Sequence, residues 1–258
     1  MTTAPAPSSP WPYPPSLWPY PKWIAHRGAG KLAPENTLAA FRVGASHGYR
    51  MFECDVKLSA DGVPFLMHDD KLDRTTTGTG LGGARPWSEL SQLDAGSWHS
   101  RAYAGEPLPT FEAIARYCLA NRHFLDIEIK PTPGVEEETG RVVAEHAARY
   151  WKGQAVPPFL TSFRPESLQG AKAVVPELPR GLLIDTLWDG WFEVAKALEC
   201  MAVICNYKLA DAAYMAKLKA AGFKALCYTV NDEAEAARLW ALGMDGIVTD
   251  RVDLFAPA

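Results

Sequence analysis

The sequence predicts a closed (β/α)8 barrel of the TIM type with a small insertion after its third strand. Short apolar runs alternate with amphipathic stretches along most of the chain, the pattern of parallel strands joined by crossover helices. Several of those runs end in ionisable residues, as strands do at the catalytic face of such barrels. The length of 258 residues suits one barrel of about 200–250 residues better than two average domains.

Residues 1–20 are rich in Pro, Trp, Tyr and Ser. The run Pro10-Trp-Pro-Tyr-Pro-Pro lacks the N–H groups that a helix or central strand needs, so a flexible leader is expected ahead of a barrel domain over residues 21–258. This leader has neither a positive start nor a continuous apolar stretch, which excludes a signal peptide and a membrane anchor as readings of it.

Candidate strands follow at residues 23–26, 51–56, 64–68, 124–130, 159–163, 181–184, 202–205, 225–230 and 246–249. Amphipathic helices are expected over residues 37–47, 111–119, 139–150, 210–221 and 233–242. Nine strands compete for eight places, and 246–249 at the end is the expected surplus. The link between the second and third strands is too short for a helix and carries the turn pair Asp61-Gly62, so the chain returns there in extended form. Residues 70–109 are Gly-, Ser- and Trp-rich without periodicity and form the expected insertion over the barrel mouth. Their Gly-rich segment near Thr75 lacks the Gly-Lys-Ser/Thr of a nucleotide phosphate loop.

Apolar residues make up 48% and charged residues 22%, the balance of a soluble globular protein. A net charge of −4 argues against a nucleic-acid partner and against stable membrane association, since both draw on clustered Lys and Arg. The cysteines are odd in number and show no paired short spacing, so they read as reduced core residues and favour the cytoplasm.

Strand geometry then gathers the chemistry. Side chains at i and i+2 share a face, so Glu53 aligns with Asp55 and Glu128 with Lys130. Three carboxylates facing a barrel interior would repel one another and lose hydration, costing roughly several kcal/mol unless a cation or basic partners compensate. An all-oxygen set favours Mg2+ or Ca2+ over Zn2+. His26 and His68 each close a short apolar run, and imidazole, with a reference pKa of about 6.5, can donate or accept a proton near neutrality. His47, His99, His123 and His146 stand in helix or loop contexts and are expected to be surface or packing residues.

These residues lie in an ordered series of motifs. His26-Arg-Gly-Ala-Gly-Lys-Leu-Ala-Pro-Glu-Asn-Thr, Glu53-Cys-Asp-Val-Lys-Leu-Ser-Ala-Asp-Gly, His68-Asp-Asp-Lys-Leu-Asp-Arg-Thr-Thr and Glu128-Ile-Lys-Pro resemble the glycerophosphodiester phosphodiesterase family. Leu93-Asp-Ala-Gly-Ser-Trp, Tyr228-Thr-Val-Asn and Asp245-Gly-Ile-Val-Thr-Asp continue the likeness. Within the family it is most similar to the bacterial cytosolic branch that works beside glycerol-phosphate uptake.

The resemblance implies a small-molecule glycerophosphodiester substrate, such as glycerophosphocholine or glycerophosphoethanolamine, split into sn-glycerol 3-phosphate and an alcohol. It implies His26 and His68 as the acid/base pair and Glu53, Asp55 and Glu128 as ligands of the divalent cation. Arg27 and Lys130 would contact the phosphate, and Glu35 would support the mouth or a substrate hydroxyl. Tyr228, at a position the resemblance gives to substrate binding, departs from the Trp that many members carry there. Two other functions fit parts of the pattern: a phospholipase-like phosphodiesterase acting on intact lipid, and a non-catalytic phosphate-ester binding protein.

Overall fold

The computed structural model describes residues 18–257. Strands β1 (Trp23–Ala25), β2 (Met51–Leu58), β3 (Pro64–Leu66), β4 (Phe124–Ile129), β5 (Phe159–Ser162), β6 (Arg180–Ile184), β7 (Ala202–Asn206), β8 (Lys224–Tyr228) and β9 (Gly246–Thr249) belong to one sheet. All but β3 run parallel, and β1 pairs with both β9 and β2, which closes an eight-stranded barrel. The helices are α1 (Leu38–Ser46), α2 (Trp87–Leu90), α3 (Phe111–Asn121), α4 (Glu136–Tyr150), α5 (Pro165–Val174), α6 (Trp191–Ala197), α7 (Ala212–Ala220) and α8 (Glu233–Leu242). The fold is the expected TIM barrel.

One strand assignment is corrected. The surplus strand is β3, whereas β9 closes the barrel by pairing Ile247, Val248 and Thr249 with Trp23, Ile24 and Ala25. β3 folds back antiparallel on β2, with Leu58 opposite Pro64, because the link between them holds no crossover helix. The fully buried, β-branched run Gly-Ile-Val-Thr of β9 suits a strand covered on both faces. Sequence periodicity also left out α5 and α6; α6 has only seven residues, and Pro165 opens α5 where its lacking N–H is harmless.

Alternation along β2 separates two cores. Phe52, Cys54 and Val56 pack outward against the helices, while Met51 joins Ile24, Phe159, Ala202, Ile204, Leu226 and Val248 inside the barrel. Glu53 and Asp55 therefore share the inward face with Met51. The lower interior is apolar and the upper interior carries the carboxylates. Thr37, Asp211 and Asp232 cap α1, α7 and α8 by accepting from Ala40, Tyr214 and Glu235 N–H groups, which fixes the loops where β1, β7 and β8 end.

Trp18 and Tyr20 close the opposite end. Their rings meet Phe159 and Phe124 at 5.5 and 6.1 Å, and the Tyr20 hydroxyl donates to the Pro157 carbonyl at 3.1 Å. The proline run of the expected leader lies outside the described residues. Between β3 and α3 the chain builds a small core of its own from Met67, Leu72, Leu90, Ala95 and Leu108, continuous with Phe65 of β3. No helix among the described residues is long and apolar enough to cross a membrane.

Replacing Tyr20 with Ala removes a buried ring from this barrel floor and should lower stability by about 3 kcal/mol. The expected signature is a lower urea midpoint at unchanged slope; an unchanged midpoint would show that the barrel closes without the aromatic floor.

Candidate active site

The register of β2 against β4 builds the acidic centre. Asp55 lies opposite Glu128, and Glu53 opposite Asp126, so two layers of carboxylates stack inside one wall of the barrel. Glu53, Asp55 and Glu128 each offer an oxygen within 4.8 Å of the others, and all three are buried. At that separation each like-charged pair costs roughly 3–4 kcal/mol at an effective dielectric of about 20. Three such pairs rival the whole stability of an average domain, so positive charge must sit among them.

Part of that charge comes from Lys130 and Arg27. The Lys130 ammonium is 2.9 Å from Glu128 Oε1 and 3.9 Å from Asp55 Oδ1. Arg27 turns into the left-handed region at φ 50°, a conformation that costs a non-glycine residue about 1–2 kcal/mol. Its bonds hold it there: the backbone N–H donates to Glu53 Oε2 at 2.9 Å, Nη1 donates to Glu35 Oε1 at 2.8 Å, and Nε lies 3.4 Å from Asp55 Oδ2. Asn36 donates from its side chain to Asp55 Oδ2 at 2.8 Å and accepts the Asp55 N–H through its own Oδ1.

Protein groups still leave the cluster short of positive charge. Burial, then Asp55 and Glu128, push the Glu53 carboxyl well above its ordinary range, and burial with Asp55 pushes Glu128 up to about 7. Burial also raises Asp126, level with Glu53, to about 8, although Thr161 donates to it at 2.8 Å. Burial works in the same direction on Asp55, but Arg27, His68 and Lys130 outweigh it and hold that carboxyl low. Glu53 Oε1 and Asp55 Oδ1 are buried without a hydrogen-bond partner. Two orphaned carboxylate oxygens in an all-oxygen cluster fit a hard divalent cation.

Both histidines are anchored the same way. His26 Nδ1 meets Asp250 Oδ1 at 2.6 Å, and Asn231 donates to the other Asp250 oxygen at 2.9 Å. His68 Nδ1 meets Asp69 Oδ1 at 2.7 Å. The Nε2 atoms are thereby left to the site: that of His26 is 3.9 Å from Glu53 Oε2, and that of His68 is 3.0 Å from the Lys130 ammonium. Because an ammonium only donates, His68 Nε2 is an acceptor and its proton sits on Nδ1. Burial lowers the His68 pKa and favours that neutral ring.

A cavity of about 210 Å3 opens over these groups, lined by His26, Arg27, Glu53, His68, Glu128 and Lys130 on one side. Phe163, Leu183, Ile204, Tyr228 and Val248 form its apolar side. The Tyr228 ring packs edge-on against Phe163 at 5.6 Å, and its hydroxyl donates to the Ile184 carbonyl at 3.1 Å. Glu35 stays out of the cavity lining, with both oxygens taken by Arg27 and Arg74. His47, His99, His123 and His146 are absent from the lining as well; His99, for instance, bonds the Lys31 carbonyl at 3.0 Å.

Sequence reasoning assigned no role to Asp250, Asn231, Asp69, Asn36 or Arg74. Asp250 follows β9 directly, so the rule that ionisable residues cluster at strand ends would have found it had β9 been counted in the barrel. Asp69 is next to His68, and adjacency was its only signal.

Residues 26–254 match the model of the glycerophosphoryl diester phosphodiesterase family. The glycerophosphodiester phosphodiesterase of Caldanaerobacter subterraneus subsp. tengcongensis is 32% identical over 232 residues, spanning 88% of this chain and 93% of that protein. The Bacillus subtilis protein YhdW is 34% identical over 236 residues, spanning 89% and 94%. A solved structure of an Oleispira antarctica phosphodiesterase in complex with its product, sn-glycerol-3-phosphate, superposes with a TM-score of 0.85 at 38% identity, covering 90% of this chain and 93% of that one. Fold and site define a class, the phosphodiester hydrolases built on a TIM barrel. Within that class the chain belongs to the glycerophosphoryl diester phosphodiesterase family.

Two predictions follow from the geometry. A Cβ on Gly30, at φ +57°, would lie 2.2 Å from the Asp250 backbone, so Gly30→Ala should displace the carboxylate that holds His26. It should destabilise the fold by at least about 1–2 kcal/mol and depress turnover; wild-type kinetics and melting would contradict the packing. Because Glu53 and Glu128 hold protons above the ordinary carboxylate range, a cation must displace them. Calorimetric titration with Mg2+ should show proton release and weakening affinity as pH falls through about 7. Affinity independent of pH between 6 and 8 would remove these carboxyls from the binding step.

Proposed function

We propose that this protein hydrolyses glycerophosphodiesters, among them glycerophosphocholine and glycerophosphoethanolamine, to sn-glycerol 3-phosphate and the free alcohol in the cytoplasm. One observation carries the reading: two imidazoles, each tied through Nδ1 to a carboxylate, line one cavity with Arg27, Lys130, Glu53 and Glu128, and Asp55 completes the acidic trio beside it. Five buried free cysteines accord with a reducing compartment.

A phosphodiester is an anion that repels nucleophiles, so hydrolysis needs its nonbridging oxygens neutralised as charge builds at phosphorus. Arg27 and Lys130 supply donors at the site, and Glu53, Asp55 and Glu128 would hold the cation, Mg2+ or Ca2+. When bound, such an ion adds Lewis-acid stabilisation of the phosphoryl oxygens. The apolar wall with Phe163 and Tyr228 would receive the carbon skeleton of the substrate.

The two histidines divide the proton transfers. His68 Nε2, held as an acceptor, takes the proton from the glycerol 2-hydroxyl as that oxygen bonds to phosphorus. His26, held through Nδ1 by Asp250, donates from Nε2 to the departing alcohol oxygen as its bond to phosphorus breaks. A cyclic glycerophosphate results. Water then opens it, with His26 accepting the proton of water and His68 returning a proton to the 2-oxygen.

His26→Ala and His68→Ala should each lower turnover about 10²–10⁴-fold, measured by a coupled assay for glycerol 3-phosphate. Near-normal rates in both variants would remove the assigned roles. A glycerophosphodiester lacking the 2-hydroxyl should be inert; full activity on it would replace internal attack with direct attack by water. Chelation should abolish activity and added Mg2+ or Ca2+ restore it, and undiminished turnover after exhaustive chelation would reject the cation.

A further inference from the structure

Outside the groups assigned so far, one side chain reaches the mouth from the insertion and binds two site carboxylates at once. Arg74 ends a short turn, Leu72–Arg74. Its Nε and Nη2 donate to Asp69 Oδ2 and Oδ1 at 2.7 and 2.9 Å. Its Nη1 and Nη2 donate to Glu35 Oε2 and Oε1 at 2.8 and 2.7 Å. Four of the five guanidinium N–H groups are thus used, in two fork-to-fork pairs.

Each carboxylate gripped in this way holds a further group. Asp69 Oδ1 takes His68 Nδ1 at 2.7 Å, and Glu35 Oε1 takes Arg27 Nη1 at 2.8 Å. A continuous series of charge-assisted bonds therefore runs from Arg27 through Glu35, Arg74 and Asp69 to His68. We propose that Arg74 is a positioning residue: by holding Asp69 and Glu35 in one geometry, it sets the ring plane and tautomer of His68 and the aim of Arg27. The inference rests on the acid/base role proposed for His68.

Two physical arguments favour positioning over simple attachment of the insertion. The Arg74 side chain is 45% exposed, and ion pairs at such sites add little to stability. Its consequence is geometric instead, since a carboxylate bound at both oxygens cannot rotate, and the imidazole hydrogen-bonded to it keeps its orientation. Moreover, lysine carries one compact ammonium and cannot form two planar forks at once, so the position calls for arginine specifically.

The test compares wild type, Arg74→Gln, Arg74→Lys, Asp69→Asn and the Arg74→Gln/Asp69→Asn double variant, with His68→Ala as control. Arg74→Gln should lower kcat about 10–100-fold through misplacement of His68, with KM moved less than about threefold. Arg74→Lys should recover little of that loss, and the double variant should fall well short of the product of the two single losses, because both act on the His68 ring. In nitrogen-15 spectra, Arg74→Gln should replace the single Nδ1–H tautomer of His68 with a mixture, while the melting temperature stays near that of wild type.

A kcat for Arg74→Gln within about twofold of wild type, full recovery in Arg74→Lys, losses that multiply in the double variant, or an unaltered His68 spectrum would each overturn the assignment. An inactive wild type would sink the hydrolytic reading instead, and a fully active His68→Ala would sink the acid/base role given to His68. The His68 spectra report on positioning in either event.

Discussion

Mutual repulsion among Glu53, Asp55 and Glu128 is the constraint around which the upper half of this barrel is arranged. Three carboxylates that offer oxygens within 4.8 Å of one another cannot all ionise in a buried wall without nearby positive charge. Arg27 accepts a left-handed backbone to place its N–H and guanidinium among them, and Lys130 stands between Glu128 and His68. Asn36, at φ 60°, adds a reciprocal pair of bonds to Asp55. The unpartnered oxygens on Glu53 and Asp55 mark where protein groups stop compensating.

The same arrangement links the acidic centre to the two histidines. Each histidine takes a carboxylate on Nδ1, so both rings are fixed and both leave Nε2 toward the site. Their surroundings differ: a cation faces Nε2 of His68, whereas carboxylates lie on both sides of His26.

Much of this was legible in the sequence because it follows from short-range geometry. The i, i+2 spacing of Glu53 with Asp55 and of Glu128 with Lys130 requires only that β2 and β4 be strands, and their apolar runs say so. The histidines were readable for the same reason. What could not be read depends on which strands become neighbours. Closure by β9, with β3 left as a hairpin, is decided by pairing with β1, and a run of four β-branched and small residues looks alike in either place. Asp250 owes its position to that closure, and Asn231 reaches Asp250 across it. Arg74 meets Glu35 only because the insertion folds onto the β1–α1 loop around its own small core. Short helices such as α6, seven residues long, carry too few turns for periodicity to stand out.

The account turns on a divalent cation being held by the acidic trio, and locating the ion tests this most directly. Crystals grown near pH 8 and soaked with Mn2+ or Ca2+ should show one anomalous peak in the cavity, with an oxygen from each of Glu53, Asp55 and Glu128 at about 2.1–2.6 Å. No peak at saturating ion, or a peak elsewhere with the trio bonded only to Arg27 and Lys130, would contradict it.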